Sequence, residues 1–97
     1  MVEVQFTDSA IEDMRPFPKS DQVLIFDASE VQLAHQPLTP TRNRKPLRPN
    51  DLSRWEVRVR QYRIFYDVNE AVSSVTVKAV GVKRGSKLFI RGKEYVL

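Results

Sequence analysis

The amino-acid sequence predicts a small α+β fold, and three observations support that prediction. Apolar and polar residues alternate near the N-terminus and again through the second half, as they do in half-buried strands. Between these regions the apolar spacing changes to that of a helix. The length of 97 residues fits one domain. We therefore expect a single domain over residues 1–97, with an N-terminal strand, a two-helix hairpin and an antiparallel β-meander, the helices lying on one face of a compact sheet.

The N-terminal elements follow from alternation, caps and helix breakers. Residues 2–6 predict a first strand beside the later meander, and Thr7 or Asp8 can cap a short first helix. The inward residues of that helix are predicted to be Ala10, Ile11 and Met14. The Pro-Phe-Pro segment at 16–18 ends the helix, because proline lacks a hydrogen-bond donor. Ser20 can cap a second helix, which would pack against the first as a hairpin. The buried stripe of the second helix is predicted to be Leu24, Ala28, Val31 and Ala34.

The second half of the chain predicts a loop followed by strands. Residues 37–53 contain four prolines and predict a long loop. Three antiparallel strands with one buried face are predicted at residues 55–59, 62–66 and 75–79. Residues 67–70 predict the hairpin turn between the last two. For residues 88–97 two alternatives stay open: a final hairpin, or a helical turn followed by a strand.

The charges are distributed unevenly along the chain. Residues 1–40 carry a net charge of −5 and residues 41–97 carry +9, which together give the overall +4. Such an asymmetry predicts an anionic partner rather than a particular fold. Arginine outnumbers lysine, and the guanidinium fork matches two phosphate oxygens at once. The alternative interpretation is a solvated surface with scattered cations.

The cations predict a phosphate-binding face on the sheet. If Trp55, Val57 and Val59 point into the core, Arg58 points to the other face. There it could converge with Arg63 and with Lys83 or Arg84, near the basic loop residues. Basic side chains near exposed rings are typical of single-stranded RNA binding. The competing interpretations are cross-strand ion pairs for Arg58 and Arg60, and core positions for the aromatic rings. The residues predicted to bind RNA are Arg42, Arg44, Lys45, Arg48, Arg60, Arg84, Phe89 and Tyr95.

Several classes of function are excluded or disfavoured by the sequence. The chain has no cysteine, which excludes disulfides and thiolate chemistry. Its one histidine, His35, has no companions that would make a metal site, and we expect no metal and no cofactor. No glycine-rich phosphate loop and no catalytic triad are present. We also expect no membrane segment, because no apolar run approaches the required length, and no secretory signal, and therefore a cytoplasmic protein.

Four segments in order resemble a known toxin family. They are Lys45-Pro46-Leu47-Arg48, Trp55-Glu56-Val57-Arg58-Val59, Tyr62-Arg63-Ile64-Phe65-Tyr66 and Val80-Gly81-Val82-Lys83-Arg84. The chain resembles the RelE/ParE toxins of bacterial type II toxin–antitoxin systems over nearly its whole length, and the Tyr-Arg-Ile-Phe-Tyr segment is the most specific part. The resemblance implies a cognate antitoxin as partner. It also implies a target, which is the ribosome and its mRNA for RelE-like members and DNA gyrase for ParE-like members.

The RelE-like alternative implies metal-independent endoribonuclease chemistry and inhibition of translation. In this chemistry the ribose 2′-OH attacks its own phosphate, and cationic side chains stabilise the developing charge. The catalytic residues implied for this chain are Arg63, Arg58, Glu56 and Lys83. Glu56 stands where RelE-like enzymes often have a lysine, and Phe89 stands where they often have a tyrosine. Glu56 could serve as a general base, and Tyr95 could compensate for the missing phenol.

Two other hypotheses stay open from the sequence. The protein could inhibit DNA gyrase without any catalysis, because a gyrase inhibitor needs only a binding surface. It could also be an inert relative that merely binds its antitoxin. Convergence of Glu56, Arg58 and Arg63 on one point would favour a nuclease.

Overall fold

The computed structural model describes residues 2–97, which form one sheet with two helices. The elements are β1 (Glu3–Phe6), α1 (Asp8–Met14), α2 (Lys19–Leu33), β2 (Arg44–Pro46), β3 (Trp55–Val59), β4 (Tyr62–Asn69), a 3₁₀ turn (Glu70–Val72), β5 (Ser74–Arg84), β6 (Lys87–Ile90) and β7 (Lys93–Tyr95). The strand order is β2-β3-β4-β5-β6-β7 with antiparallel pairing, and β1 adds in parallel to β5. The predicted α+β architecture is confirmed, as is the position of the first strand.

Helix α1 begins at the predicted cap. The Thr7 hydroxyl accepts a hydrogen bond from the Ala10 N–H at 3.1 Å. Ala10 and Met14 are buried as predicted, but Ile11 is 38% exposed, so its predicted inward position is wrong. Asp13 is buried instead, because the peptide N–H of Val80 and the guanidinium of Arg91 satisfy its carboxylate.

The predicted stripe of helix α2 is confirmed in part, because Ala34 is buried and Leu24 and Ala28 are half-buried against the core. Val31 is 76% exposed, so its predicted inward position is wrong. The fully buried residues of the helix are Ile25, Ser29 and Leu33. The sequence pattern missed Ser29 because serine is polar. The Ser29 hydroxyl donates to the Ile25 carbonyl at 2.7 Å, and this bond allows the side chain to be buried. Ser20 lies within the helix and does not cap it, since the cap position is Pro18.

The predicted loop over residues 37–53 contains a strand. Strand β2 pairs with β3 through three residues, and Pro46 is tolerated there because β2 is an edge strand. Arg44 connects this strand to α2 through hydrogen bonds. Its guanidinium donates to the carbonyls of Gln32 at 2.5 Å and His35 at 3.2 Å, at the C-terminal end of the helix.

The turn after β4 lies later in the chain than predicted, and the turn after β6 decides between the two alternatives for the tail. Strand β4 runs on to Asn69, so the predicted turn at 67–70 falls later, in the 3₁₀ segment. The tail forms the hairpin alternative, β6–β7. Arg91 and Gly92 at its turn both have positive φ, 52° and 77°, as a type I′ connection requires.

Both faces of the sheet bury apolar residues, so the prediction of one buried face is wrong. The larger core lies under the helices and includes Val57, Ile64 and Tyr66. On the opposite face Phe65, Ala79 and Leu88 form a second cluster, covered in part by Leu47 and Leu52 from the loop before β3. We call this second face the open face. No helix in the described part of the chain is long and apolar enough to span a membrane.

Candidate functional site

The open face carries a cleft of about 510 Å³, which we call the cationic cleft. It lies between residues of the β2 edge and residues of β6 and β7, with β3 and β4 between them. Its lining includes Glu56, Glu94 and Tyr95. The cations that line it are Arg42, Lys45, Arg58, Arg63, Lys83 and Lys87.

The register of β3 and β4 places two arginines side by side in this cleft. Arg58 pairs directly with Arg63 across the antiparallel ladder, and side chains of paired residues share a face. Two like charges in such a pair destabilise the sheet, so the pair has no role in holding the strands together. The arrangement creates a doubly charged site for an anion instead.

The guanidinium of Arg63 is oriented by the chain itself. Its Nη1 donates to the carbonyls of Arg60 at 3.0 Å and Tyr62 at 2.9 Å. Burial lowers the pKa of Arg63 from its usual value; Glu56 opposes this shift and Arg58 adds to it. Arginine nevertheless stays protonated in proteins, so the site keeps its charge. The remaining N–H groups of Arg63 are available to a ligand.

Glu56 is the buried carboxylate of the cleft. The residue is 7% exposed and pairs across the ladder with Phe65. Its nearest cation is Lys45, with 3.9 Å between Oε2 and Nζ. Within residues 2–97 no N–H or O–H donates a hydrogen bond to this carboxylate. A buried carboxylate with free lone pairs can accept a proton or a hydrogen bond from a bound molecule.

Most cations of the cleft have no acidic partner in the described part of the chain. Lys45 is paired with Glu56, and Lys87 with Glu94 at 4.0 Å. Arg42, Arg58, Arg63 and Lys83 form no ion pair within residues 2–97. Cations that lack internal partners leave a positive field directed at whatever enters the cleft.

The structure brings some of the predicted site residues together and separates others. The four predicted catalytic residues all line the cleft, as do Arg42, Lys45 and Tyr95 from the predicted RNA-binding set. Tyr95, which the sequence analysis offered as a substitute for the phenol missing at Phe89, lines the cleft, and Phe89 does not. The predicted residues that do not line the cleft are Arg44, Arg48, Arg60, Arg84 and Phe89.

Each displaced residue has a structural reason. Arg44 caps α2, so its guanidinium is used within the fold. Arg48 lies in the exposed loop before β3, and Arg60 occupies the β3–β4 turn with φ of 54°. Phe89 pairs with Val82 on the helix side of the sheet, and Arg84 lies over its ring. Alternation along β5 and β6 thus turns these two away from Lys83.

Sequence reasoning missed five polar residues of the cleft, namely Thr41, Asn43, Ser86, Lys87 and Glu94. The signal for Lys87 and Glu94 was present in the tail, because choosing the hairpin alternative would have placed both beside the strand end at Lys83. Asn43 gave no signal, since it belongs to a segment predicted as loop.

Gly81 sets how closely β6 approaches this site. It lies opposite Arg63 on β4, and a Cβ at this position would stand 2.7 Å from Leu88 Cδ1 and 3.0 Å from the Phe89 carbonyl. The absence of a side chain lets Leu88 pack against the sheet. Tyr95 pairs with Leu88 and so reaches the cleft wall.

Comparison with known proteins supports the likeness predicted from the strand motifs. No family model matches the sequence, and no curated protein sequence matches it. Among solved structures, the toxin-antitoxin complex RelBE2 from Mycobacterium tuberculosis matches with a TM-score of 0.73 and 26% identity. That match covers 86% of this chain and 94% of the other. The archaeal RelE-RelB complex from Pyrococcus horikoshii matches with a TM-score of 0.67 and 19% identity, over 87% and 96% of the two chains.

The α+β fold of this chain is thus similar to that of RelE-like toxins. The predicted resemblance to RelE-family toxins is confirmed, and the similarity supports a toxin role for this chain.

Proposed function

We propose that this protein is the toxin of a type II toxin–antitoxin system and that it cleaves mRNA on the ribosome. The observation that carries the proposal is the convergence of Glu56, Arg58 and Arg63 on one cleft from two neighbouring strands. A surface that only binds another protein has no need of a buried carboxylate with free lone pairs beside two unpaired guanidinium groups. A nuclease has use for both.

The side chains of the cleft suffice for cleavage by internal attack. Glu56 accepts the proton of the ribose 2′-OH as that oxygen attacks the adjacent phosphorus. Arg58 and Arg63 bind the phosphate oxygens, where negative charge develops in the transition state. The bond from phosphorus to the 5′ oxygen breaks, and Lys83 lies within the cleft to protonate that leaving oxygen. The products are a 2′,3′-cyclic phosphate and a 5′-hydroxyl end.

Tyr95 completes the cleft as its aromatic wall. A ring beside the phosphate site can stack on an unpaired base of the bound strand. Lys45 and Arg42 extend the positive charge along the β2 edge, where they would hold neighbouring phosphates of mRNA or ribosomal RNA.

The proposed partner in the resting cell is a cognate antitoxin, since both solved structures named above are complexes with one. An acidic segment of such a protein would complement the unpaired cations of the cleft and cover Glu56. Release of that segment would expose the site to the ribosome.

The test is a cell-free translation assay in which the 5′ ends of a defined mRNA are mapped. Wild-type protein should generate ribosome-dependent cuts. Arg63→Ala should lower the cutting rate by about 10²–10³-fold, the typical loss when one charge-stabilising donor is removed. Arg15→Ala is the matched control, because Arg15 is an exposed arginine on the helix side that forms an ion pair with Glu12 and does not line the cationic cleft.

Intact mRNA together with unimpaired translation would contradict the proposal. Gyrase inhibition would then be the next candidate, and a DNA supercoiling assay would test it. RNA binding should also weaken with salt, with a log–log slope of about −3 to −4 for four to six phosphate contacts. A nearly flat salt dependence would contradict the role given to the cations.

A further inference from the structure

A second concavity lies on the helix side of the sheet, beyond the cationic cleft. It has a volume of about 380 Å³ and lies at the end of β5, next to the connection between α1 and α2. Three rings line it: Phe17 from that connection, Tyr62 from β4 and Phe89 from β6. We call it the aromatic pocket. The proposed reaction uses none of these rings.

The aromatic pocket has a rigid apolar wall. The rings of Phe17 and Tyr62 pack with centroids 4.7 Å apart, and the Tyr62 hydroxyl donates a hydrogen bond to Asp21. Phe89 is held by its ladder pairing with Val82. The Phe17–Tyr62 contact and the place of Phe89 on β6 bring three rings to one concavity, which offers an apolar surface to a planar ligand.

The rim of the aromatic pocket is positively charged. Lys83, Arg84 and Arg91 contribute to its lining. Asp13 is the one carboxylate among the described residues that line it, and both of its oxygens are engaged, by the Val80 N–H at 3.1 Å and by Arg91 Nε at 2.6 Å. The charge offered to a ligand is therefore cationic.

Arg84 and Phe89 already form the contact that a nucleobase would use. The guanidinium carbon of Arg84 lies 5.6 Å from the centroid of the Phe89 ring. Unpaired bases stack on aromatic rings and on guanidinium planes, and their phosphates bind cations. A site with a ring, a stacked guanidinium and a lysine nearby matches the base and the phosphate of one nucleotide.

The aromatic pocket is continuous with the cationic cleft. Val82 and Lys83 are consecutive in β5 and point to opposite faces, and Lys83 lines both concavities. A strand whose phosphate lies at Arg63 would pass Lys83 at the edge of the sheet. Its next nucleotides would reach the helix side around the β5–β6 turn.

We propose that the aromatic pocket binds an unpaired base of single-stranded RNA that flanks the phosphate held in the cationic cleft. Phe89 provides the stacking surface, Arg84 closes over the base, and Lys83 binds the phosphate between the two sites. This assignment rests on the proposed function for its substrate. An acidic protein segment would be attracted to the same cations, but it has no planar base to place between the Phe89 ring and the Arg84 guanidinium.

The test compares two single-stranded oligonucleotides of about eight nucleotides. One carries 2′-O-methyl nucleotides, which block cleavage, and the other has the same number of phosphates with abasic residues throughout. Fluorescence anisotropy measures the affinity of each for the full chain. Phe89→Leu should weaken binding of the base-bearing probe by about 5- to 50-fold and leave the abasic probe unchanged. Phe89→Tyr should bind both probes as the wild type does.

Two further variants control the test. Arg63→Ala should weaken both probes, because it removes a phosphate contact. Phe26→Leu removes a ring from α2 that packs against Phe6 and lines neither concavity, and it should change neither affinity. A thermal unfolding midpoint close to that of the wild type would show that Phe89→Leu leaves the fold intact.

The outcomes separate this proposal from the proposed function. Loss of base-dependent affinity in Phe89→Leu supports the subsite even if the wild type cuts no mRNA on ribosomes. Equal weakening of both probes, no effect of Phe89→Leu, or a wild type that binds neither probe overturns the subsite. A protein partner would then be the candidate occupant of the aromatic pocket.

Discussion

The polar side chains on the two faces of the sheet differ in whether they have hydrogen-bond partners within the chain. On the helix side two buried side chains are satisfied within the chain: the Tyr66 hydroxyl donates to the Pro37 carbonyl at 2.6 Å, and the Asp13 carboxylate accepts from the Val80 N–H and from Arg91, while the Nε of Arg44 has no partner among the described residues. On the open face Arg58 and Arg63 stand side by side, and the Glu56 carboxylate accepts no hydrogen bond within residues 2–97. Polar groups of the first kind stabilise the fold, and groups of the second kind are available to a ligand.

Two buried carboxylates, one on each face, make this comparison testable. Asp13 is 2% exposed and Glu56 is 7% exposed, so burial alone does not distinguish them. Their partners do. Asp13 has a peptide N–H and a guanidinium at hydrogen-bond distance, whereas Glu56 has only a lysine at 3.9 Å. We expect loss of Asp13 to affect stability and loss of Glu56 to affect activity.

The largest expected effect is that of Glu56→Gln on cleavage. The amide has nearly the same shape but cannot accept the 2′-OH proton, so the rate of mRNA cutting should fall by about 10²–10⁴-fold. The free energy of unfolding should change by less than about 0.5 kcal/mol, because the contact with Lys45 is long and that lysine is exposed. Mapped 5′ ends and denaturant unfolding measure the two quantities. Undiminished cutting would show that another group takes the proton.

Asp13→Ala should have the largest effect on stability. It leaves the Val80 N–H without its partner beneath α1 and frees Arg91, which should lower the free energy of unfolding by about 2–3 kcal/mol. The thermal midpoint should fall by about 10 °C or more. Glu12→Ala is the control on the same helix, since its surface pair with Arg15 contributes about 0.5 kcal/mol or less. Equal effects of the two variants would contradict the role of Asp13.

Gly81→Ala, on the open face, should lower the free energy of unfolding by less than Asp13→Ala does. The new methyl group would meet Leu88 and the Phe89 carbonyl, and such overpacking typically costs about 1–3 kcal/mol. The cost of adding a single methyl group should lie toward the lower end of this range. The cost should decrease in a Leu88→Ala background, because the closest contact is then removed. Additive costs in the double variant would show that Leu88 is not the obstacle.

The smallest effect concerns Tyr62 at alkaline pH. Burial, and then the hydrogen bond to Asp21, raise the pKa of Tyr62 to about 12, above its usual value of about 10. A raised pKa favours the neutral phenol in the folded state, so this stabilisation is complete below pH 10 and is lost as the pH rises toward 12. Tyr66, whose pKa burial also raises to about 12, contributes in the same window.

Tyr62→Phe should therefore remove part of the alkaline loss of stability and leave the part due to Tyr66. Unfolding free energies measured for both proteins between pH 9 and 12 give the difference in slope. Identical slopes would show that the Tyr62 phenol titrates at its ordinary pKa in the folded protein.

The sequence was sufficient for the class of fold and for the face of the sheet on which Arg58 and Arg63 lie. Period-two alternation in β3 and β4 assigns Arg58 and Arg63 to the face opposite the core, whatever the rest of the chain does. The Thr7 cap and the proline break after α1 are likewise local signals. These features depend on neighbours along the chain, and so they can be derived from it.

The tertiary structure decided which cations and which aromatic rings line the cleft. Arg44 was indistinguishable from Arg42 in sequence, but its position on β2 directs it to the end of α2. Tyr95 lines the cleft and Phe89 does not, because the β5–β6 register turns Phe89 toward the helices. The sequence alone determined the fold class and the pair of arginines, since both follow from local periodicity. Only the tertiary structure decided the membership of the site, because register and hairpin geometry depend on contacts between residues far apart in the chain.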